Sequence, residues 1–256
     1  MVQEVEKSST MTESSKDNLF KVDSIEEDFV FNERVVEVFD DMLERSIPCY
    51  KQVIESSARL LVKFLTPGDT LYDLGCSNGT SLLAIAGMLP DDCGFSYTGI
   101  DNSAPMLEKA RLKTELFSKQ DSVSYLLEDI TQFNHPGAGA IILGYTLQFI
   151  RPLQRESFLK SLYRCLRPGG VLLLSEKIIS HDRRLNREYI DIYHQFKKSR
   201  GYSELEIAKK REALENVLIP FSIAENKEIL TKCGFTAVET YFQWFNFVSM
   251  IAVKTV

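Results

Sequence analysis

A chain of 256 residues that is 44% hydrophobic can bury a large core, and its 11% aromatic content excludes general disorder. A net charge of −6, with a sequence pI of about 5.3, supplies no global positive field to recruit nucleic acid. No apolar run approaches the roughly 20 residues needed to span a bilayer.

The start, "MVQEVEKSSTMTESSKDN", is polar and lacks an apolar stretch, so residues 1–28 are expected to form a tail. A single α/β domain is expected over 29–256, with structure starting near Phe31. Val35, Phe39 and Met42 recur at helical spacing until Pro48, and a second helix carries Tyr50, Ile54, Leu61 and Leu65 until "TPGD". Short apolar runs then alternate with amphipathic helices. "TLYDLG", "FSYTGI", "VSYLLE", "AIILG" and, after the turn-forming "RPGG", "VLLLSEK" are the expected strands. That alternation predicts a mostly parallel sheet covered on both faces. Residues 178–219 are charged and helical, an insert before the last helix, and the chain closes with an antiparallel hairpin turning near Gln243 to Asn246.

The chemistry-bearing motifs follow the strands. "YDLGCSNGT" places Asp73, Gly75, Ser77 and Gly79 where glycines permit a tight turn and a helix start offers free N–H groups. Asp101 lies 26 residues beyond Gly75, at the end of the second strand, where a carboxylate can accept from a ribose diol. The strict GxGxxG spacing is absent, which weakens a dinucleotide reading; the glycines could also merely build a turn. Asp129 follows the third strand and can accept from an exocyclic amine or cap a turn. The five cysteines, Cys49, Cys76, Cys93, Cys165 and Cys233, form no CxxC or Cys/His cluster, so no metal is expected and a reducing, cytoplasmic setting fits.

"DLGCSNG", "GIDNSAPMLEKAR", "LEDI" and "LRPGGVLLLSEK" resemble the class I S-adenosylmethionine (SAM)-dependent methyltransferases in order and spacing, which implies a Rossmann-like fold that binds SAM. The resemblance implies Gly75, Cys76 and Ser77 against the methionine part, Asp101 and Asn102 against the ribose, and Asp129 and Ile130 against the adenine. A closer resemblance runs from about Phe31 to Lys254. "FNERVVEVFDDMLERSIPCY", "GYTLQFI", "FKKSRGYSELEIAKKREALENV" and "WFNFVSMIAVK" are similar to the carboxy-S-adenosyl-L-methionine synthase family. Members use prephenate as a carboxyl source, release phenylpyruvate, and attach the carboxylate to the SAM methyl carbon through a sulfonium ylide. Their product serves a separate enzyme that modifies the tRNA wobble uridine. This implies two small-molecule ligands, a homodimer and no direct contact with nucleic acid or membrane.

Within the most distinctive block, Ser203 and Glu206 form a capping-box signature. Ile207, Arg211, Leu214 and Leu218 then fall on one expected face, with Lys209, Lys210 and Glu212 pointing elsewhere. An arginine on an apolar stripe either reaches water, pairs with a structural acid or meets a ligand anion with its planar fork. The resemblance implies the last, making Arg211 the residue that contacts the added carboxylate. Tyr50, in phase with Ile54 and Leu61, suits plain packing; the resemblance implies a ligand contact. One position departs from the pattern: Gly144 stands where the family has a ligand-holding asparagine. His135 and His181 read as surface residues, and spacing does not make His194 a base. The alternative function is a SAM-dependent methyltransferase of a small molecule or RNA on the same fold, which needs no cation beside the methyl group. A SAM-binding scaffold and a nicotinamide dehydrogenase are weaker alternatives.

Overall fold

The computed structural model describes Asp17 and residues 33–255. The expected tail over 1–28 and the start near Phe31 therefore lie outside the described residues, Asp17 excepted. Asp17 is buried: its backbone N–H donates to Asp41 Oδ2 at 2.7 Å, and its carbonyl accepts from Arg45 Nη1 at 3.2 Å.

Two helices, α1 (Glu33–Ser46) and α2 (Tyr50–Phe64), precede the alternating part. Strands β1 (Thr70–Leu74), β2 (Ser96–Asp101), β3 (Val123–Leu127), β4 (Ala138–Gly144) and β5 (Leu166–Lys177) alternate with α3 (Thr80–Met88), α4 (Ala104–Leu116) and α5 (Pro152–Cys165). The insert supplies α6 (Arg183–Ser199) and α7 (Glu204–Leu214). Then α8 (Ile223–Lys232) leads into β6 (Ala237–Trp244) and β7 (Phe247–Val253).

The seven strands lie in the order β3-β2-β1-β4-β5-β7-β6, parallel through β5, with β7 antiparallel to both neighbours. This is the expected Rossmann-like sheet with its closing hairpin. Alternation of side chains builds two cores. Leu71, Ile142, Val171 and Leu173 face α2, α3 and α4, while Ile141, Leu143, Leu172 and Leu174 face α5 and α8. Both faces being covered explains why β4 reads as an apolar run rather than an alternating one.

Two local expectations differ. The "RPGG" segment is not a separate turn but part of β5, whose pairing with β4 shifts register between Ala138 and Ala140; the irregularity absorbs the turn residues. The hairpin link is tighter than expected, only Phe245 and Asn246.

Two sets of polar contacts fix the helices that cover the strand ends. Asp40 of α1 accepts from Lys113 Nζ at 2.7 Å, Thr80 Oγ1 at 2.8 Å and Asn78 Nδ2 at 3.0 Å, pinning α1 over the loop after β1. At the other end of α1, Arg45 lies 3.9 Å from the Tyr202 ring centroid and donates from Nε to the Arg200 carbonyl at 2.8 Å. Tyr193 donates its O–H to the Ser46 carbonyl at 2.9 Å. The leg after α7 is held by Arg155, wholly buried, which donates to the carbonyls of Ile150, Gln148 and Ile219.

Candidate active site

In open α/β sheets ligands bind outside the carboxyl ends of the parallel strands where strand order reverses, here between β1 and β4. A cavity of about 1100 Å³ opens there, roofed by residues of α1, α6 and α7. It is at the upper end of, or beyond, the roughly 300–1,000 Å³ that holds a single small ligand.

The loop after β1 forms its floor. Gly75 has φ +77°, and a Cβ there would come within 2.6 Å of Thr146 Cγ2, so only glycine fits. Its N–H and that of Cys76 donate to the Ile100 carbonyl at 2.8 and 3.1 Å, tying the loop to β2. The Cys76 thiol is buried and its pKa is pushed well up by burial. Ser77 lies in the left-handed region at φ +50°, as do Tyr145 at +62° and Cys49 at +56°. Ser77 and Tyr145 line the cavity and Cys49 immediately precedes Tyr50, so backbone strain concentrates around this site.

Beneath the loop lies an acidic pair. Asp101 accepts the Ser77 N–H on Oδ2 and the Ser103 N–H on Oδ1, both at 2.9 Å, which fixes its carboxylate at the cavity wall. Asp73 is buried, and no donor among the described residues meets its carboxylate. Burial first, and the Asp101 charge second, push its pKa up to about 7. This pair suits a ligand that is cationic, as SAM is through its sulfonium and ammonium groups.

All ten sequence-derived site residues line this one cavity: Tyr50, Gly75, Cys76, Ser77, Asp101, Asn102, Asp129, Ile130, Gly144 and Arg211. Tyr50 packs against the core, as its plain reading has it, and it lines the cavity while sharing a 2.6 Å hydrogen bond with Ser81 Oγ. Asp129 caps the 3-10 turn Ile130–Gln132, with Oδ1 accepting from Thr131 N and Oγ1 at 2.9 and 2.8 Å. A Cβ at Gly144 would meet nothing within 4 Å, so the cavity is open beyond it.

The face expected for α7 is corrected. The capping box is present, but the helix stops at Leu214, before Leu218. Its buried residues are Glu206, Ile207 and Lys210, and the Lys210 ammonium donates to Ser46 Oγ at 2.9 Å. Arg211 is exposed at the edge of that face and borders the cavity. Leu214 and Leu218 line the cavity with Arg211, so most of the expected face does share one environment; what periodicity did not show is that Lys210 also turns inward, onto α1.

Further cationic residues went unnoticed in the sequence. Lys177 ends β5, Lys197 lies on α6, and both line the cavity with His194. Lys177 Nζ sits 5.2 Å and Lys197 Nζ 4.6 Å from the centroid of the same ring, Tyr193. Among the described residues no carboxylate pairs with either. Burial first, then Lys177, Lys210 and Arg211, bring the Lys197 pKa down to about 7; burial and the same cluster lower that of His194. Burying an ammonium costs several kcal/mol. A cation–π contact returns only about 0.5–2 kcal/mol. Tyr193 alone does not offset the cost. Tyr145, Tyr193 and Phe247 form an adjoining aromatic wall, with ring centroids 6.1 and 5.0 Å from that of Phe247.

The remaining histidines are peripheral, with His135 on Glu128 at 3.2 Å and His181 on Ser222 Oγ at 2.9 Å. Trp244 packs in the hairpin against Phe196 and Phe245. The five cysteines are free. Among the described residues, no group of three or more His, Cys, Asp or Glu side chains could hold a metal, and no helix is long and apolar enough to cross a membrane.

Residues 71–170 match the model of a family described as "Methyltransferase domain". Solved structures similar in fold include an O-methyltransferase family protein from Burkholderia thailandensis (TM-score 0.66, 14% identity, 88% of this chain). Human N-acetylserotonin methyltransferase in complex with SAM is another (TM-score 0.60, 18% identity, 88% of this chain). The chain spans only 61% and 57% of those two structures' lengths, and the likeness shows the fold alone. Curated relatives are far closer in sequence. A carboxy-S-adenosyl-L-methionine synthase of Desulfotalea psychrophila is 64% identical over 239 residues, 93% of this chain and 97% of that protein. One of Campylobacter fetus is 44% identical over 93% of this chain and the whole of that protein. With such identity carried across fold, insert and hairpin alike, this chain belongs to the carboxy-S-adenosyl-L-methionine synthase family.

Proposed function

We propose that the protein converts SAM and prephenate to carboxy-SAM and phenylpyruvate, with water as the remaining product. The observation that carries this reading is Arg211 at the cavity that also holds the Asp73–Asp101 acidic pair. A methyl acceptor needs no guanidinium near the SAM methyl group, whereas a carboxylate attached there does.

In this reading Gly75, Cys76 and Ser77 lie along the methionine part, Asp101 and Asn102 hold the ribose, and Asp129 and the Ile130 amide meet the adenine. Tyr50 and the open space at Gly144 border the reacting end. The SAM methyl carbon loses a proton and gains carbon dioxide from prephenate. The prephenate ring becomes aromatic as it loses that carboxyl group and its hydroxyl, and the hydroxyl and proton leave as water. Arg211 neutralises the new carboxylate. The product then passes to a separate enzyme that modifies the tRNA wobble uridine, so this protein itself binds no RNA. A cytoplasmic homodimer completes the reading.

The test is to incubate the purified protein with SAM and prephenate and follow both products by mass spectrometry. SAM carrying one extra carboxyl group should appear in step with phenylpyruvate. Absence of both, in protein that binds SAM, would overturn the reading in favour of an ordinary methyltransferase.

A further inference from the structure

The cavity holds two charge environments that one ligand does not explain. The loop after β1 presents the carboxylates of Asp73 and Asp101, while β5, α6 and α7 present Lys177, Lys197, Arg211 and Lys210, the last of these bonded to Ser46 Oγ. SAM, cationic overall, belongs to the acids. The two lysine ammoniums share the Tyr193 ring and have no carboxylate among the described residues, in a chain that carries a surplus of acids overall. Surface lysines disperse into water; these do not, because Lys197 is 5% exposed and Lys177 is half-buried. Packing like charges in a cavity is unfavourable until an anion enters. Tyr145, Tyr193 and Phe247 beside them, with the two tyrosine ring planes inclined at 64° and 59° to that of Phe247, offer an aromatic wall against which a six-membered ring can pack.

We infer that Lys177 and Lys197 form the anchor for the second substrate, gripping the carboxylate that the donor keeps while Arg211 attends the one that is transferred. This rests on the reading above and adds a division of labour to it. A dicarboxylate with a ring between its two anionic groups matches a cluster of cations, Lys177, Lys197 and Arg211, lining one cavity with an aromatic wall. Its departing product is a ring-bearing 2-oxo acid with one carboxylate, still held by the lysine pair. A depressed Lys197 pKa agrees, since it records an ammonium lacking its counter-ion.

The test combines binding and turnover on the full chain, with SAM bound. Phenylpyruvate is titrated by calorimetry against wild type, Lys197→Gln, Lys197→Arg and Lys177→Gln, with phenylacetone, which lacks the carboxylate, as the control. Wild type and Lys197→Arg should bind phenylpyruvate, and both glutamine variants should bind it at least about tenfold more weakly. Phenylacetone should not distinguish the four proteins. In turnover, the glutamine variants should raise KM for prephenate by a similar factor while the Kd for SAM stays unchanged, a split that a folding defect would not produce. The variants lie on different elements, so misfolding of one leaves the other as the test. Equal phenylpyruvate affinity in wild type and a folded glutamine variant would overturn the inference. If wild type binds phenylpyruvate through its lysines yet makes no carboxy-SAM from prephenate, the anion site stands and the proposed function falls.

Discussion

Lys210 and Arg211 are consecutive on α7 and both line the cavity, yet they differ in anchorage: the buried Lys210 ammonium donates to Ser46 Oγ of α1 at 2.9 Å, whereas Arg211 is exposed. The first is a bolt between the insert and the N-terminal helix. The second is free of that task. Arg211→Lys is therefore expected to leave the melting temperature within about 2 °C, as for an exposed position with no core contact. SAM affinity should also persist. Carboxy-SAM formation should fall at least about tenfold, because a point charge does not reproduce the parallel hydrogen bonds of a guanidinium. Full carboxylation in a quantitative mass-spectrometric assay would remove Arg211 from the site.

Lys197 sets a pH dependence. Burial and its cationic neighbours hold its pKa at about 7, against roughly 10.4 for an unperturbed lysine. In free enzyme the ammonium is present below pH 7 and is lost above it. The groups facing it are Lys177 from β5, Lys210 and Arg211 from α7, and His194 of its own helix, which in turn feels Asp191. The lowered pKa of His194 means it has already discharged on the acid side and adds nothing to the fall above 7. The kcat/KM for prephenate should thus decline as pH rises from 7 to 9, and Lys197→Arg should flatten the profile. Stability runs the other way. Between about pH 7 and 10 the unfolded chain binds more protons at this lysine, so its contribution to stability rises with pH.

Asp73 titrates in the opposite sense. Its folded pKa of about 7 lies above the roughly 3.9 of an unperturbed aspartate. Between those values the folded chain binds the extra proton, so this group's contribution to stability falls as pH climbs from 4 to 7. A cationic ligand favours the ionised form, and SAM should bind more tightly at pH 8 than at pH 6. Asp73→Asn should weaken SAM at pH 8 by about tenfold, or ~1.4 kcal/mol, and remove most of the pH dependence. Calorimetric titration at the two pH values measures both effects; an unchanged slope in the variant would exclude Asp73 as its source.

Two glycines at the cavity should respond differently to a side chain. Gly144→Asn adds atoms where a Cβ meets nothing within 4 Å, at ordinary φ, so the melting temperature should stay within about 2 °C. Gly75→Ala forces a Cβ against Thr146 at 2.6 Å and imposes a left-handed φ of +77° on alanine. A cost of about 1–3 kcal/mol follows. For a domain of this size that lowers the melting temperature by roughly 2–12 °C, and SAM affinity should drop with it. Thermal melts with and without SAM distinguish the two cases.

The alternating strands and helices, the closing hairpin and the capping box of α7 were legible in the chain, because each is written in local periodicity and turn chemistry. So was the loop after β1, since Gly75, Ser77 and Asp101 follow strand ends at fixed spacing and one loop geometry joins them. The register of α7 was not legible. Which of Lys210 and Arg211 is buried depends on where Ser46 and Tyr202 stand, and those come from α1 and the turn between α6 and α7. Lys177 and Lys197 were invisible for the same reason. One ends a strand and the other lies on a helix 20 residues later, and only packing around Tyr193 brings their charges together. Sequence determined the fold, the family resemblance and the loop after β1, all of them short-range patterns along the chain. Tertiary structure decided the electrostatics of the cavity, because charge acts through space and burial, and neither is a property of a residue's neighbours in sequence.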